Sequence, residues 1–411
     1  MTLGGSTQDA GPPLGTSDVL TGRGGWPRWR LSSAIAALAV VAVVAAAAGI
    51  VIGRATEHVA APLSWRPLPQ APMAGRLSGG EVWTGTEMIV WGGAAPGAGV
   101  SSSGGAADAP ATRTWRSIAP APAGVEGGAA VAWTGDEMVV WASNSPDGPA
   151  GAAAYDPDAD SWRTLPAGPL GWREGYASVW TGKELVVVGG NLGDTLAKPL
   201  AAALDPAAGT WRLLPALNRL GALFPGASLT WSGSEAFLLG ALCTERTSCS
   251  PVFLAYDPAT DALRRIDLAA APIVPEQQLS LVGWSGTDVV FTIVGVSSNV
   301  NSGKIAVVRY DPAADTWRKG AFAPFPGTQG VNQQTAWLGD RLVVPDGSSG
   351  LQIYTLATDS WETITPGPSP LNWGAGSAVV WTGSQLIAWS GMVYARDNPT
   401  PNEGASLELG G

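Results

Sequence analysis

Histidine, cysteine and charge are all scarce in this chain of 411 residues. It has one histidine, His58, and two cysteines, Cys243 and Cys249. A Ser-His-Asp catalytic set needs a histidine beside its nucleophile, so the chain beyond residue 63 cannot assemble one. Charged residues make up 14% of the chain, and no run of Lys and Arg forms a basic stripe. Nucleic-acid binding therefore has no electrostatic basis, and we expect no nucleic-acid partner.

Turn-forming residues are abundant instead. The chain contains 55 glycines and 33 prolines, and hydrophobic residues make up 45% of it. Many turns, many short buried segments and few charged helical faces indicate an all-β protein. The net charge of −10 favours solubility and does not identify a partner.

One long uncharged segment differs from the rest of the chain. Residues 31–53 carry no charge between Arg30 and Arg54, and as a helix they would span about 35 Å, enough to cross a hydrocarbon core of about 30 Å. We therefore expect a single transmembrane helix that acts as an uncleaved signal anchor. A cleaved signal peptide, with its cleavage site near Ala60 and Ala61, is the main alternative, and a buried soluble helix is another.

Charges that flank this segment predict its orientation. Three arginines precede it within a few residues, whereas Arg54 follows it and is offset by Glu57. The positive-inside rule places the N-terminus in the cytoplasm, so we expect a single-pass protein of the cell membrane whose remaining chain is extracytoplasmic. The predicted parts are a disordered cytoplasmic tail over 1–30, the transmembrane helix over 31–53, a linker over 54–62 and a repeat domain over 63–411.

Two series of large apolar residues, nearly all tryptophan, recur about 50 residues apart in a fixed order along the repeat domain. The first series opens a Trp-(Thr/Ser/Leu)-Gly element and consists of Trp83, Trp133, Trp180, Trp231, Trp284, Trp337 and Trp381. The second series consists of Trp65, Trp115, Trp162, Trp211, Leu263, Trp317 and Trp361. Seven copies of each element predict a seven-bladed β-propeller, because a small sheet of this kind buries both faces only against neighbours in a ring.

The third unit shows how one blade is expected to fold. A Thr-Gly turn joins strand a to strand b, and Asp205-Pro206 joins strand c to strand d, since Asp and Pro favour such turns. The expected strands a, b, c and d are residues 175–180, 184–190, 201–204 and 210–215. The first recognisable strand, around Trp65, is a d strand, and the last unit supplies no d strand. The N-terminal strand is therefore predicted to complete the last blade.

These motifs resemble those of the kelch-repeat propellers, within the galactose-oxidase-like central-domain superfamily. The matching features are the glycine pair that ends strand b, as in Gly92-Gly93 and Gly189-Gly190, the Tyr-Asp-Pro turn and the tryptophan of strand d. The resemblance covers about residues 63–411, although other blades replace the glycine pair, for example by Ser390-Gly391. The glycine- and alanine-rich composition is also typical of a bacterial protein encoded by GC-rich DNA.

Some propellers of this type are copper-radical oxidases, whose metal site needs histidines and a cysteine-linked tyrosine. His58 precedes the first strand, so this chain lacks the copper-oxidase residues. We expect no metal and no cofactor. Pairs of carboxylates such as Glu126 and Glu174 could act together as a catalytic acid and base. No sequence spacing distinguishes one such pair from the others, so we assign no catalytic residue.

The long d–a and b–c connections of a propeller share one face, which we call the loop face. Sixteen tryptophans fit packing positions between blades, but two lie in d–a connections. The next position along the chain is occupied by a mixed set of polar residues in several units. Aromatic and converging polar groups suit recognition of a glycan, a small molecule or a protein. Loop packing and ordinary solvation explain the same residues as an alternative. The candidate ligand-binding residues are Trp172, Trp373, Arg76, Glu126, Arg173 and Gln277.

Cys243 and Cys249 flank five residues in the predicted b–c loop of the fourth unit. Outside the cytoplasm, a close pair of cysteines favours a disulfide that braces the loop. A metal site at this position would need further ligands.

Together these features favour a non-catalytic binding or scaffolding propeller on the extracytoplasmic side of a membrane, with an envelope protein or glycan as its partner. One alternative is a carbohydrate-active lyase or hydrolase on the same scaffold. Another is a membrane sensor that signals inward through its cytoplasmic tail.

Overall fold

The computed structural model describes sixteen segments of the chain, all within the compact unit Ala61–Gly411. They are residues 63–76, 79–95, 102–127, 129–142, 150–192, 195–196, 199–220, 222–223, 226–245, 248–274, 277–295, 305–324, 335–345, 350–365, 377–390 and 402–409. The predicted cytoplasmic tail, transmembrane helix and linker lie outside these residues. No helix within them has the length and apolar character needed to cross a membrane. The helical segments they contain are α1 (Pro215–Asn218) and a 3-10 helix at Leu268–Ala270.

The strands form seven antiparallel sheets, which confirms the predicted all-β, seven-bladed propeller. Blade 1 has β2 (Gly80–Trp83), β3 (Met88–Trp91), β4 (Gly105–Ala109) and β5 (Thr114–Ile118). Blade 2 has β6 (Ala129–Trp133), β7 (Met138–Ala142), β8 (Gly151–Asp156) and β9 (Ser161–Leu165). Blade 3 has β10 (Glu174–Trp180), β11 (Leu185–Leu192), β13 (Ala201–Asp205) and β14 (Thr210–Leu213), with β12 (Thr195–Leu196) paired to β11.

The remaining blades follow the same order, and the last one takes its outer strand from the beginning of the domain. Blade 4 has β15 (Ala222–Leu223), β16 (Ser228–Trp231), β17 (Ala236–Glu245), β18 (Ser248–Asp257) and β19 (Ala262–Ile266). Blade 5 has β20 (Gln277–Trp284), β21 (Val289–Gly295), β22 (Ile305–Asp311) and β23 (Thr316–Phe322). Blade 6 has β24 (Ala336–Trp337), β25 (Arg341–Pro345), β26 (Leu351–Thr355) and β27 (Ser360–Ile364). Blade 7 has β28 (Ala378–Trp381), β29 (Gln385–Trp389), β30 (Gly404–Glu408) and β1 (Arg66–Pro67), in which β1 pairs with β30.

Each Trp-x-Gly tryptophan ends a strand a, and the residues after it close the a–b turn. In blade 1, the Thr84 hydroxyl accepts the N–H of Glu87 at 2.9 Å. Gly85 follows with φ of +101°, a conformation that costs glycine little. The short Trp-Thr-Gly motif therefore marks the turn that holds strands a and b in register.

Apolar packing lies between the blades. The described residues contain seven hydrophobic clusters, and each one joins two neighbouring blades of the ring. Tryptophans of strand b meet tryptophans of strand d in the next blade, as in Trp91 with Trp162 at 5.7 Å and Trp141 with Trp211 at 6.3 Å between ring centroids. Such ring pairs contribute roughly 0.5–1.5 kcal/mol beyond the area that they bury.

A polar contact, which we call the blade clamp, repeats at the c–d turns. In blade 2, Tyr155 donates its hydroxyl to Asp160 at 2.6 Å, and Asp160 also accepts the backbone N–H of Ala119 in blade 1 at 2.9 Å. Asp160 has φ of +46°, so the turn needs a residue that tolerates the left-handed region. The same tyrosine–aspartate pair occurs as Tyr256 with Asp261, Tyr310 with Asp315 and Tyr354 with Asp359.

Candidate functional site

Blade 4 carries a long hairpin on the loop face. β17 and β18 each have ten residues, and they pair directly from Ala236 and Tyr256 to the end of the hairpin at Glu245 and Ser248. The described part of the region predicted as a b–c loop is therefore strand, because the β17–β18 ladder continues through Leu242 opposite Ser250 to Glu245 opposite Ser248. Cys243 lies opposite Cys249 in this ladder.

The predicted disulfide is confirmed, since Cys243 and Cys249 are bonded across the hairpin. Cys243 is 5% exposed, and β15 pairs with the same part of β17 through Ala222 opposite Cys243. The end of the hairpin is thus held by a covalent bond and by a third strand.

A groove lies between this hairpin and the segment that enters blade 5. Its volume is about 690 Å³, which is within the range of small-molecule and peptide sites. One wall comes from the middle of β17, the start of β16 and Pro251, and the other comes from the d–a connection and the start of β20. Its lining residues are Gly226, Ala227, Ser228, Leu239, Gly240, Ala241, Pro251, Leu268, Ala269, Ala271, Ile273, Val274, Gln277, Gln278, Leu279 and Ser280.

The groove is mainly aliphatic, with a small polar rim. Val274 is 42% exposed, and it is one of three exposed large hydrophobic residues in the described part of the chain. Gln277 accepts the N–H of Val274 through its side-chain oxygen at 3.2 Å and donates its own N–H to the Val274 carbonyl at 2.9 Å. These two bonds fix the turn that presents Val274 at the rim. Gln278 is exposed beside it.

A smaller cavity of about 390 Å³ adjoins the groove and shares Pro251, Leu268 and Ala269 with it. Arg265 and Asp267 line this cavity. Asp267 accepts the N–H of Ala269 at 2.8 Å and so caps the 3-10 helix that forms the shared wall. The charged groups are therefore next to the apolar groove rather than within its described lining.

Two of the predicted ligand-binding residues serve the backbone of their own blades. Arg173 is 1% exposed and donates from Nη1 to the carbonyls of Gly189 and Pro199, each at 3.1 Å. Arg76 donates to Gly92 at 3.1 Å in the same manner. Burial lowers the pKa of Arg173 to about 10 and also lowers the pKa of Arg76.

One carbonyl that each arginine reaches belongs to the glycine pair of strand b, Gly92 for Arg76 and Gly189 for Arg173. Gly92 has φ of +71° and Gly189 has φ of +82°. A side chain on Gly189 would meet Leu223 of the next blade at 2.9 Å, so conformation and space both require glycine there. The arginine and the glycine pair thus form one structural unit in blades 1 and 3.

The other predicted site residues are spread around the loop face. Glu126 is exposed in the connection to blade 2, Trp172 is half-buried before blade 3, and Gln277 lies at the rim of the groove in blade 5. Trp373 lies outside the described residues. The four described polar candidates belong to blades 1, 2, 3 and 5.

The groove offers mainly aliphatic side chains with a few amide and hydroxyl groups. Its described lining contains no carboxylate, histidine or cysteine. Elsewhere in the described part of the chain, no cluster of three or more His, Cys, Asp or Glu side chains is arranged to hold a metal ion. Two carboxyls with strongly raised pKa values, Glu81 and Asp108, lie in blade 1.

Comparison with known proteins identifies no relative, since neither a protein-family model nor a curated protein sequence matches the chain.

Proposed function

We propose that this protein is a non-catalytic binding propeller that holds an extended apolar segment of an envelope protein in the groove between blades 4 and 5. The observation that carries the proposal is the groove itself, which combines an exposed aliphatic rim with a disulfide-braced wall. A rigid wall lowers the conformational entropy that binding costs.

A peptide fits this lining better than a glycan does. The apolar side chains Leu268, Ile273, Val274 and Leu279 offer hydrophobic contact, while polar side chains are confined to two glutamines and two serines. Sugar hydroxyls need many hydrogen-bonding partners, whereas an extended peptide can satisfy its backbone at the rim and bury apolar side chains in the groove.

The proposed setting is the extracytoplasmic side of a bacterial membrane, with the chain anchored by residues 31–53. The uncharged length of that segment supports an anchor. The disulfide supports an oxidising compartment, because such bonds are rare in the cytosol.

We also propose that the propeller is of the kelch type. Glycine pairs directly after β3 and within β11, Tyr-Asp-Pro turns and strand-d tryptophans recur in the order typical of that family.

The test is a selection from a display library of random extended peptides against the full-length chain. We expect apolar peptides to be enriched, and we expect Val274→Asp to abolish their binding because a carboxylate would be placed in the apolar rim. Leu213→Asp is the matched control, since Leu213 is 48% exposed but lies on the outer strand of blade 3.

Equal loss of binding in both variants, or no loss in Val274→Asp, would refute the groove as the site. Selective binding of cell-wall glycans that is lost in Trp172→Ala would favour glycan recognition instead. Turnover of an envelope polysaccharide that depends on a loop-face carboxylate would favour the enzyme alternative.

A further inference from the structure

The interface between blades 7 and 1, which we call the seam, carries two carboxyl groups, of which Glu81 is half-buried and Asp108 is fully buried. Glu81 lies opposite Val90 in the β2–β3 ladder, and Asp108 lies opposite Met88 in the β3–β4 ladder. Directly opposed residues of antiparallel strands point to the same face of a sheet. Val90 and Met88 pack against Trp389 of blade 7, so both carboxyls face blade 7.

Asp108 occupies the position that tyrosine holds in blades 2, 4, 5 and 6. It is fully buried, and neither of its carboxyl oxygens has a hydrogen-bond partner among the described residues. Met88 and Trp115 lie opposite it on the two neighbouring strands. A buried carboxylate without partners is costly, so this position favours the neutral acid.

Hydrogen bonding at the seam reverses the polarity of the blade clamp. Arg113 stands where blades 2, 4, 5 and 6 have the clamp aspartate, with φ of +56°, and donates to the Pro67 carbonyl of β1 at 3.1 Å. The position that supplies the N–H in blade 1, Ala119, corresponds in blade 7 to Pro69, which has none. The clamp that holds other interfaces is therefore unavailable here.

Other charged groups lie at or near the seam. Glu87 and Arg113 of blade 1 act on Asp108. From blade 7, Arg66 of β1 and Glu408 of β30 face blade 1. Arg66 lies opposite Ser406, and Glu408 lies opposite Gln385, in the ladders of that blade.

Glu81 lies on the inner strand at the same seam. Its carboxylate is held by the backbone of Val379 on β28, the inner strand of blade 7. The corresponding residue of blade 2 is Val131, an apolar residue. Arg76, a cation at the loop end of the seam, directs its guanidinium to Gly92, while its backbone exchanges hydrogen bonds with Ser390.

We infer that the seam is a proton-responsive closure, held shut by neutral Glu81 and Asp108 and loosened when they ionise. Burial raises the pKa of Glu81 from 4.5 to about 7 and that of Asp108 from 3.8 to about 6. The folded state then retains protons that the unfolded state has lost, so stability is greatest at acidic pH and declines as pH rises from about 4 to about 7. β1, from the start of the domain, completes blade 7 by pairing with β30, and Arg113 of blade 1 bonds its Pro67 carbonyl, so loosening the seam also removes a contact that holds β1 in place.

The test is hydrogen exchange followed by mass spectrometry on the full-length chain at about pH 5 and about pH 8, expressed as protection factors. Between these values we expect protection of β1 and β30 to fall by roughly 100-fold or more in the parent, given the size of the pKa changes. In Glu81→Gln/Asp108→Asn, which cannot titrate at these positions, we expect protection to stay nearly constant.

Two further variants keep the inference falsifiable if the double variant folds poorly. Asp108→Leu removes one carboxyl and places there the residue that blade 3 uses, Leu204, so it should lose part of the pH dependence. Glu362→Gln removes an exposed carboxyl of blade 6 and should keep all of it. The same pH dependence in the parent and in both seam variants, or loss of protection at another interface instead, would overturn the inference.

Discussion

Replacing Asp160 should separate the two functions that the structure gives to the blade clamp. Its carboxylate accepts hydrogen bonds from Tyr155 and from the backbone of Ala119, and its own backbone adopts φ of +46°. Asparagine keeps an acceptor oxygen and tolerates the left-handed region. Glycine keeps only the conformation, and alanine keeps neither.

The expected costs follow from these differences. Loss of two partly exposed hydrogen bonds costs about 1 kcal/mol each, so Asp160→Gly should lower the free energy of unfolding by about 2 kcal/mol. Asp160→Ala should cost roughly 1 kcal/mol more, because left-handed strain exceeds the greater unfolded-state entropy of glycine. Asp160→Asn should cost under about 1 kcal/mol.

Equilibrium unfolding in urea measures these values, and an unchanged m-value would show that the unfolded state is the same. Asp158→Ala, an exposed change in the same turn, is the control and should be nearly neutral. If alanine and glycine destabilise equally, the left-handed backbone carries no cost, and that part of the reasoning is refuted. If all three variants match the parent, the clamp does not hold the blades together.

Two other predictions concern the loop face. Replacing Cys243 and Cys249 by serine should lower the free energy of unfolding by an amount on the order of 2 kcal/mol, since the loop that the disulfide closes is short. Hydrogen exchange over residues 241–251 should rise, and unchanged exchange would show that β15 alone is enough to hold the end of the hairpin. Arg173→Met should destabilise the chain by roughly 2–4 kcal/mol, because the carbonyls of Gly189 and Pro199 lose their donor. Glu126→Ala is the control and should be nearly neutral. Thermal unfolding measures both variants, and equal effects would contradict a structural role for the arginine.

The architecture was accessible from the sequence because its signals are local and repeated. Trp-x-Gly ends an inner strand at Trp83 and again at each later copy, where the hydroxyl or main chain of the next residue closes the turn. Seven repetitions of such an element leave little choice of fold. The clamp aspartates were also visible as a residue two positions before the strand-d tryptophan, as in Asp160 before Trp162, but only the structure reveals their φ and their partners in the neighbouring blade.

The site was less accessible because it depends on contacts between blades. The register of Arg76 and Arg173 predicts polar groups near the channel mouth, but whether a guanidinium points to solvent or to a carbonyl depends on the neighbouring glycine pair. The groove lies where the middle of β17 and Pro251 of β18 face residues 268–274 and 277–280, in the connection to blade 5 and the start of β20. No local sequence pattern encodes how these segments of two blades are placed relative to each other.

Hydrogen exchange of the full-length chain with and without a selected apolar peptide tests the binding proposal most directly. The account predicts new protection in residues 226–228, 239–241, 268–274 and 277–280, the segments that contribute the groove lining, and no change at the outer strand of blade 3. Protection centred on another part of the ring, or binding that leaves these segments unchanged, would contradict it.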